Sequence, residues 1–174
     1  MDDLLRQLAG GDRRSIGQSD RVVREVLKRP SLFATVIHGL DCADSLIRAR
    51  CADATEKITR SHPDWLQPHK AALLALAART TEQEMRWHLA QMLPRLTLTP
   101  AETRRVVARI LEYLNDDSRI VKTFAMQALA DFAERDHALR LRALPLLDDL
   151  TRTGSPAMRS RGRRLVARLL DLDE

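Results

Sequence analysis

The stretch "RIVKTFAMQALADF", Arg119 to Phe132, sets apolar side chains at Val121, Ala125, Ala128, Leu129 and Phe132. On a helix of 3.6 residues per turn these positions share one face, and a basic residue, Lys122, directly follows the first of them. The same arrangement returns in "LIRARCADATEKI" (46–58), "MRWHLAQMLPRL" (85–96) and "MRSRGRRLVARL" (158–169). Counted from Ile47, Met85, Val121 and Met158, the next residue is basic each time: Arg48, Arg86, Lys122 and Arg159. Four along stand Cys51, Leu89, Ala125 and Gly162; seven along, Ala54, Met92, Ala128 and Leu165; eleven along, Ile58, Leu96, Phe132 and Leu169. Offsets of 4, 7 and 11 fall within about 40° of the first position on a helix, so each copy carries one apolar stripe. A period of about 37 residues is the mark of a repeat architecture, because a bundle has no reason to reuse residue types at a fixed interval.

Between the stripes lie stretches long enough for a second amphipathic helix. These are expected to begin near Ser31, Pro63, Pro100 and His137. Thr99, Pro100 and Glu102 have the spacing of a capping box with proline at the first helical position. Thr81 with Glu84 offers a second box, Ser155–Pro156 repeats the cap-then-proline signal, and Asn115–Asp117 marks a turn. Gly162 is expected to weaken the last stripe by roughly 1 kcal/mol relative to alanine.

Composition agrees with helices. Apolar residues make up 44% of the 174 positions, but aromatics only 3%, whereas strands enrich aromatic and β-branched residues. The net charge is +5, with 25 Arg among the 29 basic residues. Such a bias suits phosphate or carboxylate recognition and equally follows from base composition. The two cysteines, Cys42 and Cys51, form no CxxC, and no Cys/His set has metal-ligand spacing, so no disulfide framework, metal or cofactor is expected. The acidic start "MDDLLRQLAGGDRR" is unlike a signal peptide, and no apolar run approaches the ~18 residues of a membrane span. A cytoplasmic location and no membrane partner are expected.

Two helices per unit at this period resemble the HEAT-repeat family, within the armadillo-like α-solenoids. The resemblance covers four repeats, 31–60, 61–98, 99–135 and 136–172, with 1–30 as a degenerate N-terminal cap in a single domain spanning 1–174. It implies an all-α, right-handed α-α superhelix whose second helices line a concave surface. The family's acidic residue six positions before the basic one is present here as Asp116, before Lys122. Concave positions would lie opposite the stripe, at offsets 2, 6 and 9. There the floor is small and polar apart from Trp87, whose column otherwise holds Ala49, Thr123 and Ser160. On the resemblance, Asp53, Trp87, Gln91, Gln127 and Arg164 form the partner-binding set. Arg161, Arg163 and Arg168 offer an anion-binding end.

No Ser/His/Asp set, glycine-rich phosphate loop or aligned carboxylate pair is present, so no catalytic residue is assigned. The expected role is a non-enzymatic scaffold for a protein or peptide, with rigid presentation of the surface favouring association. The alternative is nucleic-acid binding through the arginine-rich last repeat. In residue type, Asp53, Trp87 and the C-terminal arginines are similar to those of HEAT-like alkylpurine DNA glycosylases, although no motif of those enzymes is matched.

Overall fold

The computed structural model describes residues 2–11 and 15–172; Met1 and residues 12–14 of the expected cap lie outside it, as do Asp173 and Glu174. The described residues hold ten α-helices and no strand. They divide into two compact units, 1–73 and 74–174.

The four stripes specify the interior. Every stripe position, at offsets 0, 4, 7 and 11 of each copy, is buried. They lie on α4 (Ser45–Ser61), α6 (Gln83–Met92), α8 (Arg119–Ala133) and α10 (Pro156–Leu170), with Leu96 just beyond the end of α6. The remaining helices are α1 (Asp3–Arg6), α2 (Ser19–Lys28), α3 (Phe33–Gly39), α5 (Lys70–Arg79), α7 (Pro100–Tyr113) and α9 (His137–Thr153). The expected capping box is complete: Thr99 Oγ1 accepts from the Glu102 N–H, and Glu102 Oε2 from the Thr99 N–H. Ser155 likewise caps α10 through the Met158 N–H.

Elsewhere the elements differ from expectation for local reasons. The helix expected from Pro63 is a 3-10 turn, Pro63–His69, containing Pro68, and α5 begins only at Lys70. Proline lacks the N–H that an α-helical turn would use there. Pro94 stops α6 at Met92 in the same way and leaves a 3-10 turn, Leu93–Arg95. The box expected at Thr81 does not form. Helix α6 has Glu82 as its N-cap, and the Thr80 hydroxyl takes the Glu82 N–H.

In the N-terminal unit α4 packs against α2 and α3. Arg50 of α4 is 3% exposed and donates to the carbonyls of Leu8 (2.7 Å), Gly10 (2.6 Å) and Ser15 (3.2 Å). One planar guanidinium thereby satisfies carbonyls from three residues that lie outside any helix. A Cβ at Gly17, which has a φ of +54°, would fall 2.6 Å from the Arg50 Cζ. Phe33 sets its ring edge-on to Trp65 and His69, and His62 stacks on Trp65 at 4.5 Å.

In the C-terminal unit α8 is central and packs against α6, α7, α9 and α10. Its small residues, Ala125, Ala128, Ala130 and Ala133, permit neighbours on so many sides. Gly162 proves to be required by packing. A Cβ there would collide with Thr151 Oγ1 of α9 and sit 2.9 Å from the Met126 Cε of α8. Any backbone cost of glycine is offset by the close approach of α9 and α10.

Two residues of the basic column, Arg48 and Arg86, tie loops together. Arg48 donates to the carbonyls of Cys42 (2.5 Å) and Ala43 (2.8 Å). Arg86 reaches the Thr80 carbonyl (3.4 Å) and pairs with Asp116 at 2.5 Å, which ties α6 to the turn before α8.

Candidate functional site

Burial corrects the expected floor. Thr123 and Ala130 of α8, at offsets 2 and 9, are buried, as are Glu56 and Pro94. The half-open strip of α8 runs instead through Phe124, Gln127, Asp131 and Glu134. It is rotated by about one residue from the expected strip, on a helix against which both α6 and α10 pack. Trp87 consequently does not stand in a column of small residues. Its ring lies 5.4 Å from that of Phe124, and the Arg161 guanidinium sits over the Phe124 ring, 4.5 Å from its centroid. Trp87, Phe124 and Arg161 come from α6, α8 and α10 and follow one another at 37-residue steps (87, 124, 161). An arginine over an aromatic face gains from the ring quadrupole.

Beside this ladder Gln127, Arg161, Arg164, Leu165 and Arg168 line an open pocket of about 280 Å³. Arg168 is already paired, with Asp131 (2.9 Å) and Glu134 (2.7 Å). The Gln127 amide also donates to Asp131, at 2.8 Å, and the Gln91 amide to the Trp87 carbonyl, at 3.2 Å. Arg161 and Arg164 form no ion pair among the described residues. Burial first, and then the nearby Arg164 charge, push the Arg161 pKa below its usual value, with Asp131 opposing. Among the described residues this is a cationic pair with no ion-pair partner of its own, Asp131 acting on Arg161 only from beyond ion-pair distance.

The residues singled out in the sequence are thus distributed unevenly. Trp87, Gln127, Arg161, Arg164 and Arg168 gather on the α6–α8–α10 face, with Gln91 one turn along from Trp87. Arg163 is exposed on α10 and does not line the pocket. Asp53 belongs to the N-terminal unit, where it accepts from the Ser19 hydroxyl at 2.5 Å and pairs with Lys57 at 2.7 Å. Glu56, 1% exposed, is held by Arg60. Phe124 was missed because the stripe was counted from its first apolar residue; the constant step of 37 from Trp87 would have found it.

His69 and His88 each pack on an aromatic ring, Phe33 and Trp87 respectively. Among the described residues no group of three or more His, Cys, Asp or Glu side chains could hold a metal ion. No described helix is long and apolar enough to cross a membrane.

No protein-family model matches the chain, and no curated protein matches it. Among solved structures, the crystal structure of an engineered protein from the Northeast Structural Genomics Consortium is similar. It shares 15% identity and a TM-score of 0.65, covering 97% of this chain and 78% of that one. At that identity the likeness speaks to the fold alone.

Proposed function

We propose that the chain is a right-handed array of HEAT-like helical hairpins that works, without catalysis, as a scaffold for a protein or peptide partner. The observation that carries this reading is the Trp87–Phe124–Arg161 ladder, half-buried on three helices at one constant step. The array itself is supported by the buried stripes, by the pairing of α7 with α8 and of α9 with α10, and by α8 lying between α6 and α10. Trp and Arg are the residue types that most often dominate binding energy, and helices hold them with little left to order on association. Trp87 and Phe124 supply apolar area, while Arg161 and Arg164 set the polarity of one end.

The test begins with partners captured from a cell lysate on the immobilised chain, with and without nuclease, then identified and titrated. Trp87→Ala is expected to keep the helical circular dichroism and to weaken a nuclease-resistant partner by roughly 2 kcal/mol or more. A variant that melts earlier yet binds as before would make the ring ordinary packing and remove the reading.

The unpaired arginines of α10 favour nucleic-acid binding as a second reading. It requires binding that falls steeply as salt rises, since each neutralised phosphate releases counter-ions.

A further inference from the structure

The pocket beside the ladder has a chemistry narrow enough to define what the partner brings to it. We infer that the partner, on the scaffold reading on which this rests, is an acidic peptide segment: a carboxylate seats between Arg161 and Arg164 while a neighbouring aromatic or large apolar side chain lies on Trp87 and Phe124.

Arg161 and Arg164 both line the pocket, close enough for one charge to act on the other, and neither has an ion-pair partner among the described residues. A half-buried guanidinium with a like charge beside it is costly unless an anion answers the two. Guanidinium forks suit a carboxylate's two oxygens. Phe124 fixes the orientation of Arg161 from beneath, so little side-chain freedom is lost on binding. The apolar surface begins on the same residue, because the Trp87 ring continues from Phe124. An acid and an apolar side chain close together in sequence would reach both.

A polyphosphate chain fits less well. Its affinity comes from several phosphates neutralised in succession along a basic track. Here the strip next to the two arginines carries Gln127, Asp131 and Glu134, and the third arginine is already neutralised by the two carboxylates. The site answers one anion and repels a row of them.

The experiment selects binders to the intact chain from a random heptapeptide library displayed on phage, at about 0.15 M salt. A synthetic copy of the best peptide is then titrated by fluorescence anisotropy, beside a single-stranded oligonucleotide of about 20 nucleotides. Selected peptides should carry Asp or Glu within a residue or two of an aromatic or large apolar residue. Changing that acid to its amide, or Arg164→Gln in the protein, should each weaken binding by about tenfold, and the two changes together should cost little more than one. Peptides selected without an acid, or indifferent to the amide change, would overturn the carboxylate while leaving the scaffold reading in place. Failure to select any peptide that depends on Trp87 would overturn both. An oligonucleotide that binds more tightly than the peptide, and loosens with Arg164→Gln, would overturn the proposal in favour of nucleic acid.

Discussion

Positions 50, 87, 124 and 161 stand 37 residues apart, yet the two units use them in opposite ways. In the N-terminal unit Arg50 turns inward and is occupied by the carbonyls of Leu8, Gly10 and Ser15. Its neighbours on α4 are occupied as well: Asp53 by Ser19 and Lys57, Glu56 by Arg60. In the C-terminal unit the matching residues form a half-open aromatic and cationic ladder, and Arg161 and Arg164 form no ion pair among the described residues. Position on a helix face therefore does not make a binding residue. What decides is whether the fold has already engaged the group.

The contrast breaks most severely at Arg50. Replacing it with methionine should cost about 3 kcal/mol in chemical denaturation, because several carbonyls lose their donor at once; a loss below about 1 kcal/mol would show that the loop stands without it. Gly162→Ala comes next. It should destabilise by about 2 kcal/mol through the clash with Thr151, and Thr151→Ala in the same chain should recover much of that. No recovery would place the strain elsewhere. Arg164→Gln should shift stability by less than about 0.5 kcal/mol, since no partner in the fold is lost. A larger loss would mean that the fold already uses the C-terminal arginines, as it uses Arg50.

The smallest effect is a pH dependence confined to the N-terminal unit. Burial against Phe33, and then the charge of His38, hold the His69 pKa below its ordinary 6.5. The unfolded chain takes up this proton first, so the stabilisation is present above pH 6.5 and is lost as pH falls through that value toward the folded one. Melting temperatures between about pH 7.5 and 5 should show this extra decline in the native chain and less of it in His69→Gln; identical slopes would discard it.

The buried stripes were legible because a stripe needs only apolar residues at helical spacing, and burial enforces that spacing wherever the helix lies. The open face was not, because which strip stays exposed depends on how closely neighbouring helices approach. On α8, which packs against four helices, Thr123 is buried and Phe124 half-open. Arg50 was illegible for another reason. Its partners are backbone carbonyls of an aperiodic loop, and backbone carbonyls carry no sequence signature. Gly162 looked like a weakness when read along α10, and only the approach of α9 shows why no larger residue fits.

Arg48 and Arg86 each grip the carbonyl of the residue six positions earlier, Cys42 and Thr80. A carbonyl is the same on every residue, so these arginines work as rulers: they gauge how long the preceding loop is and are blind to what it spells. Such loops can drift freely in composition but not by a single insertion or deletion. Before α8 Asp116 takes over the measuring with its own side chain, receiving both Arg86 and the Ser118 N–H. There the loop has given up its freedom of spelling in exchange for a link to α6.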